Sequence, residues 1–156
     1  YIFGYRLLDF FNLAHIVNPL AKNALIRRNI WSSKEEAYNY FVKKKLFSKV
    51  SEDSLNDYIA YGFKNNKGNS ITLKCDPEWE SACFRLTTRE VWKNVQSLKM
   101  PIKIILTPNS VVCNNITQRK IKKLAPHTEF VFIKDTTHML PLEKDLEVSN
   151  EINKFL

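Results

Sequence analysis

Residues 102–106 read Ile102-Lys103-Ile104-Ile105-Leu106, a β-branched run of strand length, and a turn-like segment follows at Thr107-Pro108-Asn109-Ser110. The pattern next predicts a helix from about Thr117 to Leu124 and a second buried strand, Phe130-Val131-Phe132-Ile133. A last helix is predicted from about Leu142 to Leu156. Because consecutive parallel strands need a helical crossover, this order predicts an α/β unit in the last third of the chain.

The chain ahead of this unit is predicted to be mostly helical. The overlapping S-x-x-E pattern in Trp31-Ser32-Ser33-Lys34-Glu35-Glu36-Ala37 indicates a helix start, because its hydroxyl and carboxylate groups satisfy free amides there. Helices are predicted at about 5–17, 20–28, 34–45 and 51–62, from Pro77 onward and around 91–98, with a short strand or extended linker at 71–73. We therefore divide the chain into a helical region, residues 1–98, and a strand-helix-strand-helix unit, residues 99–156.

The composition excludes several classes of protein. Of the 156 residues, 44% are hydrophobic and 12% aromatic, whereas disordered chains are poor in such residues. The glycines lie too far apart for a glycine-rich phosphate loop or a G-x-S-x-G nucleophile turn; they are Gly4, Gly62 and Gly68. The three cysteines form no C-x-x-C pair, so free thiols in a reducing compartment are expected, and no metal or organic cofactor is implied.

The charge is basic, with 24 Lys and Arg against 16 Asp and Glu, a formal net charge of +8. A nucleic-acid-binding protein would use such an excess to neutralise phosphates along one surface. The basic residues fall in two short runs, Lys43-Lys44-Lys45 and Arg119 to Lys123, which solvated helix faces explain. We therefore expect no nucleic-acid partner.

The apolar opening stretch, residues 1–21, contains charged side chains, so neither a transmembrane helix nor a signal peptide is predicted there.

Among the three histidines, His138 has the setting of a catalytic group. It follows the second predicted strand and precedes the last helix, and ligands of open α/β sheets bind outside the carboxyl ends of the strands. A neutral imidazole there is a candidate general base for a hydroxyl or a thiol. The alternative is a turn histidine that caps the final helix. His15, on a predicted helix, and His127, before a strand, are weaker candidates.

The segment Thr137-His138-Met139-Leu140-Pro141-Leu142-Glu143-Lys144 resembles the H-x-x-P-x-E passage into the final helix of the α/β-hydrolase fold family. Residues 101–156 are similar to the last two strands of that family, and residues 1–98 to its helical cap. Short motifs, including Tyr61-Gly62-Phe63, resemble a fungal subgroup that contains a yeast peroxisomal lipase and acyl-CoA thioesterase-like toxin-biosynthesis proteins. The resemblance implies a serine-dependent ester or thioester hydrolase in which His138 is the catalytic histidine.

The chain departs from the family pattern in two places. No G-x-S-x-G turn is present, so the resemblance implies that the nucleophile lies upstream of Tyr1 and that this chain is the C-terminal half. Ser110 stands about where the family's commonest triad acid would be, which implies an acid ahead of the cap. Asp135 is interpreted as a turn residue. Glu143 is interpreted as structural, because negative charge is favoured in the first turn of a helix.

Three hypotheses follow. The leading one is the hydrolase, whose partner is a small acyl ester or thioester substrate. The second is a truncated or degenerate relative without catalysis that acts as a binding or interaction protein, and the third is a small basic nucleic-acid binder. The expected location is the cytosol or the peroxisome, although Lys154-Phe155-Leu156 departs from the usual peroxisomal import tripeptide. The oligomeric state cannot be inferred from these residues.

Overall fold

The computed structural model describes residues 18–85 and 90–156. The helix predicted at 5–17, and His15 within it, lie outside the described residues. The α-helices of the described chain are α1 (Pro19–Ile26), α2 (Lys34–Phe41), α3 (Glu52–Gly62), α4 (Pro77–Arg85), α5 (Val91–Ser97), α6 (Asn115–Leu124), α7 (Leu140–Glu143) and α8 (Asp145–Asn153). The strands are β1 (Ile30–Trp31), β2 (Phe63–Asn65), β3 (Ile71–Leu73), β4 (Ile102–Leu106) and β5 (Thr128–Phe132).

The described chain forms two compact units. The first takes in residues 18–37 and 58–85, and the second takes in residues 38–57 and 90–156. The segment 38–57, which includes the whole stretch between α2 and α3, therefore belongs to the same unit as β4 and β5. The division into a cap at 1–98 and a core at 99–156 stays a prediction.

In the first unit, α1 packs along α4. Asn18 caps α1 by accepting hydrogen bonds from the amides of Leu20 and Ala21 at 3.0 and 3.4 Å, as expected for an asparagine before a Pro at the helix start. The Asn18 side-chain amide also donates to the carbonyl of Phe84 at 2.7 Å. The start of α1 is therefore tied directly to the end of α4.

The first unit also contains a three-stranded antiparallel sheet in the order β1-β3-β2, of which the sequence predicted β3 alone. Trp31 pairs in register with Ile71, and Phe63 pairs with Leu73. The strands β1 and β2 are two and three residues long, too short to show alternation of polar and apolar side chains. Residues 18–85 and 90–98 are thus mostly helical, with one small sheet among the helices.

Glu36 holds the start of α2. Its carboxylate accepts hydrogen bonds from the Ser32 amide and hydroxyl, both at 2.7 Å, and pairs with Arg28, while the Glu36 amide donates to the Ser33 hydroxyl at 3.1 Å. The bond from the Ser32 amide, followed by Arg28 and the Ser32 hydroxyl, lowers the pKa of Glu36 from 4.5 to about 2. The predicted S-x-x-E helix start is therefore present, and it is formed by Ser33 and Glu36.

This lowered pKa predicts a pH dependence of stability. A carboxyl whose folded pKa is depressed stabilises the fold above its unfolded pKa, and that contribution is lost as the pH falls through the folded value. We expect the wild-type protein to lose stability between about pH 5 and pH 2 more steeply than the Glu36→Gln variant. Thermal unfolding across this range measures the effect, and Glu35→Gln, one position away, is the matched control. Parallel profiles for wild type and Glu36→Gln would contradict the prediction.

In the second unit, β4 and β5 form a parallel pair, with Ile102 opposite Thr128 and Leu106 opposite Phe132. The crossover is α6, whose start is capped by the Asn114 side chain, an acceptor from two following amides at 3.1 Å. The predicted order of strand, helix and strand is confirmed. The second strand begins two residues earlier than predicted, because Thr128 and Glu129 already pair with β4.

The prediction of one continuous helix from 142 to 156 is wrong, because the helix is interrupted at Lys144. The backbone leaves helical geometry at Lys144, with φ −143° and ψ 54°, so α7 and α8 are separate. The Asp145 side chain accepts from the Leu146 amide at 2.8 Å, a local bond that competes with a continuous helix. The Lys144 amide donates to the carbonyl of Leu140 at 3.0 Å and closes α7.

Lys103 joins α8 to the sheet. Its ammonium group lies 3.4 Å from the carboxylate of Glu129, opposite it on β5, and 3.3 Å from that of Glu151 on α8. The Lys103 side chain is only 7% exposed, and its two carboxylate partners offset the cost of burying an ammonium group. Hydrogen bonds from Lys154 and Lys103 lower the pKa of Glu151. A lysine within a predicted apolar strand is thereby accommodated.

The parallel pair is less buried than its sequence predicts. All of β4 is half-exposed, and Phe132 on β5 is 46% exposed. Within the described residues, β4 has a strand on one side only. Parallel strands in α/β proteins are normally covered on both faces, so the apolar run was expected to be fully buried. The difference arises because the described sheet has two strands rather than many.

Candidate functional site

The loop 133–139, here called the His138 loop, connects β5 to α7. Because β4 and β5 are parallel, both end at the same edge of the sheet, and this loop leaves from that edge. His138 is exposed within it. The other described histidine, His127, directly precedes β5 and therefore lies at the opposite edge. The structure thus places His138 where ligands of such sheets bind, as its sequence position predicts.

Hydrogen bonds hold the backbone of the His138 loop in place. The hydroxyl of Thr107, at the end of β4, donates to the carbonyl of Thr136 at 2.8 Å, and the Thr136 hydroxyl donates to the carbonyl of Ile133 at 2.7 Å. Asp135 has a left-handed φ of 58°, as a turn residue of this type can adopt. Lys49 donates from Nζ to the Asp135 carbonyl at 3.0 Å. The backbone that leads to His138 is therefore fixed by β4 and by segment 38–57.

Glu143, on α7, holds the end of the His138 loop that leads into this helix. Its carboxylate accepts a hydrogen bond from the Thr137 amide at 2.5 Å and a second one from the Thr137 hydroxyl. The sequence interpretation assigned Glu143 a structural role through the helix dipole. Its carboxylate instead bonds the residue immediately before His138, so the role is structural but local to the loop.

Neither Ser110 nor Asp135 acts on the imidazole. The Ser110 hydroxyl accepts from the Cys113 amide at 3.1 Å and so caps the turn after β4. Within residues 18–85 and 90–156, no carboxylate forms a hydrogen bond or ion pair with His138. A triad acid for this histidine is therefore absent from the part of the chain that the structure describes.

Two arginines of the first unit, Arg27 and Arg28, have protein partners. Arg27 lies 2.8 Å from the carboxylate of Glu80 and donates to the carbonyl of Cys75 at 3.3 Å. Arg28 pairs with Glu36. Both guanidinium groups thus have structural roles in the first unit.

Aromatic side chains pack against one another in each of the two units. Tyr40 packs on Phe41 at a ring distance of 5.2 Å, and Phe41 on Phe47 at 5.1 Å, all in the second unit. Tyr58 packs on Phe63 at 5.9 Å in the first unit, and burial raises its pKa. These contacts are edge-to-face packing of aromatic rings within each unit.

Two properties of the described residues bear on the class of site. No group of three or more His, Cys, Asp and Glu side chains in residues 18–85 and 90–156 is placed to hold a metal ion. Over the same residues, no helix combines the length and the apolar character that crossing a membrane requires.

The fold occurs in solved structures of hydrolases. The peroxisomal α/β-hydrolase Lpx1 of Saccharomyces cerevisiae is 16% identical, with a TM-score of 0.70 over 87% of this chain and 38% of that one. E-2-(acetamidomethylene)succinate hydrolase is 12% identical, with a TM-score of 0.68 over 87% of this chain and 50% of that one. A Mycobacterium tuberculosis esterase is 12% identical, with a TM-score of 0.64 over 93% and 50%. No protein-family model and no curated protein sequence matches the chain.

These likenesses define the class of fold. The chain is an α/β protein with the fold of part of an α/β-hydrolase, and it spans 38% to 50% of the length of these three structures. The predicted fold class, the C-terminal part of an α/β-hydrolase fold with a mostly helical cap region, is confirmed. At 12% to 16% identity the likeness concerns the fold alone.

Proposed function

We propose that this chain is the C-terminal half of a serine-dependent hydrolase of acyl esters or thioesters, and that His138 is its general base. The observation that carries the proposal is the position of His138 in a fastened loop at the carboxyl edge of a parallel strand pair. The structural neighbours that share this fold include esterases and other hydrolases, which supports the reaction class. The location, cytosol or peroxisome, stays a prediction.

The proposed mechanism assigns His138 the proton transfers of acylation and of deacylation. The imidazole takes the proton of a serine hydroxyl supplied by another part of the protein, and the serine oxygen attacks the acyl carbonyl carbon. The same imidazole then gives the proton to the oxygen or sulfur of the leaving group as its bond to the acyl carbon breaks. In deacylation the imidazole takes a proton from the water that attacks the acyl-serine carbonyl, and it returns a proton to the serine oxygen as the acid is released. His138 is exposed in this chain, so its ring is accessible to a serine presented from outside the described residues.

The incomplete cover of the sheet supports the proposal that more of the core exists. Within the described residues, β4 has one strand neighbour, and Phe132 is 46% exposed. Further strands beside β4 and further helices would cover this apolar surface, as in other sheets with parallel strands. That additional part is where we propose the nucleophile, the oxyanion hole and the triad acid to lie.

The second candidate function is a non-catalytic relative that works as a binding or interaction protein. The observation that favours it is the lack, among the described residues, of a carboxylate bonded to His138, since an imidazolium that forms during catalysis needs such a partner. The two candidates differ in whether the whole protein contains an activated serine.

Covalent labelling distinguishes the two candidates. The complete reading frame that contains this chain is expressed, and the protein is treated with a fluorophosphonate, which modifies activated serines. We expect one label per protein on a serine outside this chain, within a G-x-S-x-G turn. The Ser110→Ala variant is the matched control and should label at the wild-type rate, because Ser110 only caps a turn. A complete protein that takes up no label would favour the non-catalytic relative.

A further inference from the structure

The carboxylate of Glu143 binds both polar hydrogens of Thr137. The Thr137 amide donates to Oε2 at 2.5 Å, and the Thr137 hydroxyl donates to Oε1. The hydroxyl oxygen in turn accepts from the Met139 amide at 3.4 Å, so the bonds reach across His138 to the residue after it. The two neighbours of His138 are therefore linked through one side chain that Glu143 fixes.

Glu143 is itself held by a short but anchored helix. Leu140, the first residue of α7, is buried, and the Glu143 amide donates to the carbonyl of Met139 at 3.1 Å. Among the described residues, no Lys, Arg or His side chain forms an ion pair with Glu143. Its carboxylate is thus used for the loop and not for a surface ion pair, unlike that of Glu147, which pairs with Lys144 at 3.1 Å.

The opposite side of the loop is fixed independently. Lys49 and Thr107 hold the carbonyls of Asp135 and Thr136, two successive residues ahead of Thr137. The Thr136 carbonyl and the Thr137 amide belong to one peptide group, so Thr107 and the Glu143 carboxylate hold that peptide from its two sides. The carboxylate also binds the Thr137 hydroxyl, so it fixes both the backbone and the side chain of the residue from which the chain enters His138.

We propose that Glu143 is a positioning residue, which acts through Thr137 to hold the imidazole of His138 in the direction needed for proton transfer. The inference rests on the proposed function, because it assigns Glu143 a part in the work of a general base. Misplacement of a catalytic group by about 1 Å costs on the order of 10²-fold in rate. The Glu143 carboxylate bonds Thr137 and forms no bond with His138, so we expect its loss to lower the rate without removing substrate binding.

The first test is steady-state kinetics of the complete protein. We expect Glu143→Ala to lower kcat by about 10-fold to 100-fold while KM changes less than about twofold. Glu143→Gln keeps an amide oxygen for the Thr137 amide and an NH2 group for the hydroxyl, so we expect it to restore kcat to within about threefold of wild type. The matched control is Glu147→Ala, which removes an exposed carboxylate nearby and should leave kcat unchanged.

The second test follows the bond itself. Exchange of the Thr137 amide hydrogen, measured by NMR, should be faster in Glu143→Ala by about tenfold or more and unchanged in Glu147→Ala. Thr137→Val, which loses only the hydroxyl, and Thr137→Ser, which keeps it, give the same comparison if Glu143→Ala fails to fold. We expect the valine variant to lose kcat and the serine variant to retain it.

The outcomes separate the inference from the function on which it rests. Wild-type kcat in Glu143→Ala, or unchanged exchange at Thr137, would overturn the positioning role while His138→Ala still abolishes activity. If His138→Ala keeps full activity in the same assay, the proposed function is wrong and the positioning role falls with it. An equal loss of kcat in Glu147→Ala would also overturn the inference, because a general effect of nearby charge would then explain the result.

Discussion

Replacement of His138 by alanine is expected to lower kcat/KM of the complete protein by about 10⁴-fold. Without the imidazole, the serine hydroxyl keeps its proton and the leaving group receives none, so both proton transfers are lost. The residual rate would come from substrate binding and from the oxyanion hole. The measurement is initial-rate hydrolysis of a short-chain p-nitrophenyl ester and of a short-chain acyl thioester, each over a range of concentrations.

The chain offers a matched control in His127. It is exposed, as His138 is, but precedes β5 and lies at the opposite edge of the sheet. We expect His127→Ala to retain activity within about twofold of wild type and both variants to unfold at the wild-type temperature, since surface substitutions change stability by about 0.5 kcal/mol at most. A His138→Ala protein that keeps more than a tenth of the activity would contradict the assignment of the general base.

The elements that could be predicted from sequence are those with long, regular patterns. Residues 102–106 are β-branched over a full strand length, and the Ser33 and Glu36 pair marks a helix start locally. The strands β1 and β2 could not be predicted, because two or three residues carry no periodicity and they form only by pairing with β3, at separations of 40 and 42 positions for β1 and of 6 to 10 positions for β2. Tertiary pairing, not local pattern, forms that sheet.

In the candidate site, too, features set by neighbouring residues could be predicted, whereas contacts between residues far apart in the sequence could not. His138 could be found from its place between a strand and a helix. The hydrogen bonds that hold the His138 loop could not be predicted, because Lys49 is 86 positions from Asp135 and Thr107 is 29 positions from Thr136. Glu143 is only six positions from Thr137, so its proximity was visible in the sequence. The hydrogen bond between Glu143 and Thr137 was not predicted, because the helix dipole alone accounts for a carboxylate in the first turn and requires no specific partner.

The second large effect is expected at Trp31, in the core of the first unit. Its side chain is 1% exposed, its ring meets that of Phe63 edge to face at 5.3 Å, and the Arg28 guanidinium lies 5.3 Å from the ring centre. Replacement of Trp31 by alanine is expected to lower the free energy of unfolding by about 3–5 kcal/mol, because it removes a buried indole and leaves a cavity. Part of this, about 0.5–1.5 kcal/mol, belongs to the aromatic pair with Phe63.

Equilibrium unfolding of the complete protein in urea, followed by far-UV circular dichroism, measures this loss, and the Trp79→Ala variant is its matched control. Trp79 is the same residue type but is 73% exposed, so its replacement is expected to change the free energy of unfolding by less than about 0.5 kcal/mol. Trp31→Phe keeps an aromatic ring opposite Phe63 and should lose less than Trp31→Ala. Equal losses for the Trp31→Ala and Trp79→Ala variants would mean that Trp31 does not lie in the core of the first unit.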